Sequence, residues 1–95
     1  MDKKEIAKMK RRVKTLQGRI ARLGPVMRGS IVKIGTRNKQ FYFSMNKDKK
    51  THLIYLGEKK VERAKAYSDN YKTMLEIIEE MTMLNMKLIK EENVR

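Results

Sequence analysis

Apolar residues near the start of the chain recur with the spacing of an α-helix. Asp2 and Glu5 have the form of a capping box. The apolar positions then follow at intervals of three and four, at Ile6, Met9, Val13, Leu16, Ile20 and Leu23. Gly24 and Pro25 supply a stop, because glycine accepts a left-handed cap and proline cannot continue a helix. The pattern predicts a helix over residues 3–23 with one narrow apolar seam.

The middle of the chain changes to the alternation that is typical of β-strands. Three runs rich in β-branched and aromatic residues, at 31–34, 40–45 and 51–56, are separated by polar turns at 35–39 and 46–50. Loops this short connect antiparallel strands, so we predict a three-stranded antiparallel β-meander over residues 27–56. Its buried face should hold Phe41, Phe43 and Met45, and its opposite face Gln40, Tyr42 and Ser44.

The last third of the chain has helical composition over residues 58–92. The run Ser68-Asp69-Asn70 contains poor helix formers, and whether it interrupts the helix stays open. An apolar seam runs along the predicted helix at Tyr67, Tyr71, Met74, Ile78, Met81, Asn85 and Leu88, and Ile77 and Leu84 widen it. Residues 74–92 match the first helix in length, which predicts antiparallel pairing of the two helices. The predicted fold is α+β, as a single domain over residues 1–95.

The wide stripe on the second helix offers more apolar surface than one partner helix covers. A chain of 95 residues also has a marginal core, which favours burial against a second subunit. We therefore predict a homodimer. The expected interface residues are Met74, Ile77, Ile78, Met81, Leu84 and Leu88.

Charge is distributed unevenly along the chain. Residues 1–57 hold 16 of the 24 Lys and Arg residues but only three of the 11 acidic residues, whereas residues 58–95 hold eight of each sign. No acidic residue lies between Glu5 and Asp48. A positive region of this length indicates a polyanionic partner, and nucleic acid is the commonest one.

The charge and the predicted sheet together favour a non-enzymatic nucleic-acid-binding protein, with DNA preferred to RNA. A β-surface can enter the major groove, while Tyr42 could equally stack on an unpaired base, so both modes stay open. Binding would use the basic face of the first helix and the sheet with its turns. The predicted contact residues are Lys8, Lys10, Arg11, Arg12, Lys14, Arg19, Lys33, Arg37, Lys39, Gln40, Tyr42, Lys47, Lys49 and Lys50.

Other kinds of chemistry have little support in the sequence. There is no cysteine, and the single histidine, His52, cannot build a metal site or a catalytic triad. Scattered glycines form no nucleotide-binding loop. No cofactor, metal, small-molecule substrate or membrane partner is expected. The alternative function is a protein-interaction module, such as a coiled-coil adaptor or an inhibitor of a nucleic-acid-processing enzyme. A basic helix on an anionic membrane is the weakest reading, because the first helix has no Trp or Phe.

Two resemblances point to a DNA-linked context. The order of sheet and helix in residues 30–67 is similar to the arm-site DNA-binding domains of tyrosine recombinases, which is an analogy of fold. Residues 23–32, 41–44, 51–56 and 69–71 resemble a family of small basic prokaryotic proteins of unknown function that are often encoded near transposases. This likeness spans about residues 20–90 and implies a prokaryotic or viral, mobile-element setting. The expected location is cytoplasmic, and nucleoid-associated if the protein binds DNA. Many members carry a cysteine-rich loop where this chain has Gly35-Thr36-Arg37-Asn38-Lys39, so a metal role does not carry over.

Overall fold

The structure is a computed structural model that describes residues 1–92. Its elements are α1 (Lys3–Arg22), β1 (Ser30–Ile34), β2 (Gln40–Lys47), β3 (Lys50–Tyr55) and α2 (Val61–Lys90). The predicted α+β order of helix, three antiparallel strands and long helix is confirmed. The contacts define two compact units: a helical unit, formed by residues 1–23 and the chain from residue 73 onward, and a sheet unit, residues 24–72. A single domain over residues 1–95, a span that reaches beyond the described residues, stays a prediction.

In the helical unit, α1 begins as its sequence predicts and ends at Arg22, but the predicted left-handed cap is wrong, because Gly24 does not have a positive φ. The Asp2 side chain accepts a hydrogen bond of 2.8 Å from the backbone N–H of Glu5. At the other end, the Leu23 N–H donates to the carbonyl groups of Arg19 and Ile20. Every position of the predicted seam is at least partly buried, and Leu16 is fully buried. The apolar period of α1 therefore identifies its packed face correctly.

The two helical segments of this unit pair antiparallel. The amino terminus of Met1, just before the start of α1, lies 3.7 Å from Glu91, just after the end of α2. Arg12, in the middle of α1, contacts Glu80, which precedes the end of α2. Ile77 is buried at the level of Leu16 in this register. Predicted antiparallel pairing is thus confirmed.

The seam of α2 differs from the predicted one in detail. Ile78 is 43% exposed and Asn85 is exposed, whereas Ile77 and Leu84 take the buried positions. Starting from Met74, intervals of three and four residues reach either Ile77 and Leu84 or Ile78 and Asn85, and both choices fit a 3.6-residue period. Packing selects the set that includes Ile77, so Ile78 and Asn85 do not belong to the buried seam.

In the sheet unit, the strands form an antiparallel meander in the order β1-β2-β3. Ile31 lies opposite Phe43, and Tyr42 lies opposite Tyr55. The second turn is shorter than the predicted 46–50, because Asn46, Lys47 and Lys50 belong to the strand ladder. Only Asp48 and Lys49 remain as turn residues, both with positive φ (54° and 63°). This is the left-handed geometry that matches the twist of a hairpin.

The core of the sheet unit lies on one side of the sheet. Buried residues from β2, the end of β3 and α2 form its centre, and partly buried side chains surround them. The centre is Phe43, Leu56 and Ala64, and the surrounding residues are Met27, Ile31, Phe41, Met45 and Val61. The predicted Phe41, Phe43 and Met45 face is therefore the core face.

α2 continues without interruption through Ser68-Asp69-Asn70. The Ser68 hydroxyl donates to the Gly29 carbonyl (3.0 Å), and the Asn70 amide donates to the Pro25 carbonyl (3.0 Å). The backbone N–H of Met27 also donates to the Tyr67 carbonyl. Ser68 and Asn70 therefore hold the segment that leads into β1, and their side-chain hydrogen bonds explain why these two poor helix formers lie within a helix.

Candidate nucleic-acid interface

The face of the sheet away from the core carries no charged residue. Its members follow from the strand register, and we call this set the outer face: Ser30, Val32, Ile34, Gln40, Tyr42, Ser44, Asn46, Thr51, Leu53 and Tyr55. Ten uncharged residues form one surface in a unit rich in Lys and Arg. Such a surface can approach another molecule without first removing water from an ion.

Polar and aromatic side chains on the outer face are fixed by one another. The rings of Tyr42 and Tyr55 meet edge to face, with centroids 5.5 Å apart. The Tyr55 hydroxyl donates to Gln40 Oε1 (3.1 Å), and the Thr51 hydroxyl donates to Asn46 Oδ1 (2.9 Å). Each amide oxygen is thereby engaged while the NH₂ group of each amide remains able to donate to a ligand.

The outer face also exposes apolar area. Ile34, Leu53 and Tyr55 are each more than two-fifths exposed, with Tyr55 at 56%. Large apolar side chains gathered on one exposed face are typical of a binding surface. The outer face therefore combines apolar contact area with hydrogen-bond donors.

The β2–β3 hairpin carries positive charge at a cost to stability. Lys47 and Lys50 lie directly opposite each other in the ladder, where like charges destabilise a strand pair. Lys49 has a φ of 63°, a conformation that disfavours every residue with a Cβ. Within residues 1–92, none of these three lysines forms an ion pair that would offset this cost.

A second basic loop lies at the other end of β2. Arg37 and Lys39 stand in the exposed connection between β1 and β2. Because consecutive turns of a meander lie at opposite ends of the shared strand, this loop and the Lys49 hairpin border the outer face at its two ends.

Three predicted contact lysines do not belong to the outer face. Lys33, Lys47 and Lys50 occupy alternate register positions, on the side of the core. Lys33 places its Nζ 4.9 Å from the centre of the Phe41 ring, which is a cation–π contact within the unit. Lys47 and Lys50 remain exposed at the hairpin end. Of the predicted sheet residues, Gln40 and Tyr42 lie on the outer face itself.

In the helical unit, the predicted cations of α1 are all exposed, but one of them is engaged. Arg12 donates to both carboxylate oxygens of Glu80, at 2.6 and 3.0 Å. The hydrogen bond from Arg12 holds the pKa of Glu80 below its ordinary value and raises the pKa of Arg12. Within residues 1–92, no other Lys or Arg side chain lies within 4 Å of a carboxylate. The cations available to a partner are Lys8, Lys10, Arg11, Lys14 and Arg19.

The positive region does not end at residue 57, where the sequence analysis placed its boundary. The sheet unit extends to residue 72 and holds 12 Lys and Arg residues against four acidic ones. The start of α2 and the residues before it contribute Lys59, Lys60, Arg63, Lys65 and Lys72. A boundary drawn along the sequence therefore divides one basic unit.

The predicted dimer residues lie mostly on a covered face of α2. Met74, Ile77, Met81, Leu84 and Leu88 are buried or partly buried within the helical unit. Only Ile78 of the predicted set is exposed. Of the predicted set, Ile78 is therefore the one side chain on the exposed surface of α2.

Sequence reasoning named only two of the ten outer-face residues, Gln40 and Tyr42, as contact residues. Asn46, Thr51, Leu53 and Tyr55 were not predicted as contact residues, and residues 53–56 are apolar without the alternation that β2 shows. The misplaced turn hid them, because the register of β3 against β2 depends on the length of that turn.

Two further properties hold for the described residues. Residues 1–92 contain no group of three His, Asp or Glu side chains placed to hold a metal ion. Neither α1 nor α2 has an apolar stretch long enough to span a lipid bilayer.

No protein-family model, curated protein or solved structure matches the chain. The resemblance to the transposase-associated family stays a prediction.

Proposed function

We propose that the protein binds nucleic acid, and duplex DNA in particular, by placing the outer face of the sheet in the major groove. The observation that carries this proposal is an uncharged face with donors and apolar side chains, bordered at both ends by basic turns. Phosphate contacts position a protein on a duplex, and base edges supply specificity. In this protein the basic residues of the two turns would contact phosphates, and the uncharged residues of the outer face would contact base edges.

The dimensions of the sheet suit the groove. Neighbouring strands lie about 4.8 Å apart, so three strands span roughly 10 Å, compared with a major groove about 12 Å wide. At about 3.3 Å per residue, β2 separates the two basic turns by roughly 23 Å. With the strands running along the groove, Arg37, Lys39 and Lys49 would lie at the two ends of the sheet, where their long side chains can reach the phosphates that border the groove.

The side chains of the outer face match the chemistry of base edges. An amide such as that of Gln40 or Asn46 pairs with adenine, and apolar groups such as Leu53 contact the thymine methyl. Tyr42 is partly buried against Tyr55, so its ring is less open to a stacked base than an isolated tyrosine would be. This packing favours the groove over an unpaired strand.

The exposed cations of α1 would provide a second, sequence-independent contact. Lys8, Lys10 and Arg11 are unpaired within residues 1–92 and can neutralise phosphates. Arg12 would have to leave its exposed ion pair with Glu80 to take this role, and exposed ion pairs contribute little stability. The non-enzymatic character of the protein is part of the proposal.

Equilibrium binding to duplex DNA, single-stranded DNA and duplex RNA, measured against salt concentration, tests the proposal. Replacing Arg37 and Lys39 with alanine should weaken binding to every DNA sequence and flatten the plot of log K against log salt by about 0.9 per lost contact. Gln40→Ala should change the preference among sequences and leave that slope unchanged.

The matched control removes the same charge elsewhere in the same unit. Lys59→Ala with Lys60→Ala should alter affinity and slope much less than the Arg37 and Lys39 pair. If the control pair costs as much affinity, and Gln40→Ala changes no preference, the outer face is not the interface.

A protein-interaction function is the second candidate. The observation that favours it is a set of exposed apolar side chains on the far half of α2, including Leu75, Met83, Met86 and Ile89. Absence of binding to all three nucleic acids at about 50 mM salt would favour this candidate, because electrostatic binding is strongest at low salt.

A further inference from the structure

The helical unit has an apolar stripe that its own packing leaves exposed. We define the outer stripe as Leu75, Ile78, Thr82, Met86 and Ile89, which recur along α2 at intervals of three, four, four and three. Its four large apolar side chains are between 43% and 64% exposed. At about 1.5 Å per residue the stripe is roughly 21 Å long. This length equals about four helical turns of uncovered apolar surface.

The outer stripe is symmetric about its centre. Ile78 and Met86 each lie four residues from Thr82, and Leu75 and Ile89 each lie seven residues from it. A two-fold axis through Thr82 would therefore set each apolar residue of one antiparallel copy opposite an apolar residue of the other. A C2 interface needs a self-complementary patch of this kind.

The charges beside the outer stripe favour the same orientation. Glu76 and Glu79 lie towards its N-terminal end, and Lys87 and Lys90 towards its C-terminal end, all exposed. Within residues 1–92, no carboxylate lies within 4 Å of either lysine. At 100° per residue, Glu79 and Lys90 lie about 60° and 80° from the centre of the outer stripe, on the same side. An antiparallel two-fold axis at Thr82 would place Glu79 of one copy and Lys90 of the other on the same side of the interface, twice by symmetry. Parallel copies would place these charges of the two chains on opposite sides of the interface.

We propose that the outer stripe binds a second copy of this chain, helix antiparallel to helix, with the two-fold axis at Thr82. The interface excludes the five predicted residues that α2 buries within its own unit. Its length places it among the smaller protein interfaces, so assembly depends on concentration. The proposal does not depend on nucleic-acid binding.

Sedimentation equilibrium over roughly 5–500 µM, on protein freed of nucleic acid by nuclease and high salt, measures the assembly. The wild-type chain should approach a dimer mass. Met86→Asp should remain a monomer across this range, because the charge would be buried opposite Ile78 of the second copy.

Met83→Asp is the matched control. Met83 and Met86 are on the same helix and are 54% and 60% exposed, but Met83 projects about 100° away from the centre of the outer stripe at 100° per residue. Met83→Asp should keep the dimer mass. Both variants should keep the wild-type circular dichroism spectrum, since neither side chain is buried in the single chain.

Cysteine cross-linking tests the orientation, and the absence of native cysteine makes each introduced thiol unique. Thr82→Cys should form a disulfide-linked dimer under mild oxidation. Leu75→Cys should not cross-link with itself but should cross-link when mixed with Ile89→Cys. A monomer mass for the wild type at every concentration would overturn the proposal, as would self-linking of Leu75→Cys, which indicates parallel copies.

Discussion

Lys49 at the tip of the β2–β3 hairpin offers a test in which stability and binding should change in opposite directions. Its φ of 63° costs a residue with a Cβ about 1–2 kcal/mol, and glycine avoids this cost. Glycine in turn loses about 0.5–1 kcal/mol through its greater freedom in the unfolded chain. Lys49→Gly should therefore raise the free energy of unfolding by about 0.5–1 kcal/mol.

Both effects of Lys49→Gly are measurable. A gain of this size corresponds to a rise of about 2–8 °C in the midpoint of thermal unfolding for a small domain. Loss of the lysine charge should weaken binding to duplex DNA and reduce the slope of log K against log salt by about 0.9. Calorimetry measures the first quantity, and fluorescence anisotropy at several salt concentrations measures the second.

The control variant Lys49→Gln separates the two effects. It removes the charge but keeps a Cβ in the left-handed conformation, so it should weaken binding equally and leave the unfolding midpoint near that of the wild type. A lower midpoint for Lys49→Gly would refute the reasoning about backbone conformation. An unchanged salt slope in both variants would show that the hairpin tip does not contact phosphate.

Three further substitutions test the packing. The pKa of Glu80 lies below its ordinary value of 4.5, so its pair with Arg12 stabilises the fold above pH 4.5, and this stabilisation is lost as the pH falls through the lowered pKa. Lowering the pH from about 5 to 3 should therefore reduce the thermal unfolding midpoint of the wild type more than that of Glu80→Gln. Parallel profiles of midpoint against pH would contradict this. Ser68→Ala should cost about 1–2 kcal/mol in urea unfolding, because the Gly29 carbonyl loses its donor. Gly29→Ala should cost about 3 kcal/mol in the same assay, because the added Cβ would lie 2.4 Å from the Ser44 carbonyl oxygen; wild-type stability would show that this contact relaxes freely.

The sequence by itself determined the elements and most of their faces. The seam of α1, its cap at Asp2 and its end near Leu23 follow from intervals of three and four and from local capping rules. The buried Phe43 and the exposed Gln40 of β2 follow from an alternation of period two. These features depend on neighbours within a few residues, so the order of the chain is sufficient to define them.

Tertiary structure decided the features that depend on residues far apart. Two apolar stripes of α2 have equivalent periodicity, and only packing shows that Ile77 is covered and Ile78 is not. The two-residue turn at Asp48 and Lys49 sets the register of β3, and that register places Tyr55 on the outer face. Local pattern cannot choose among such alternatives, because their energies differ through contacts between segments separated by many positions in the chain.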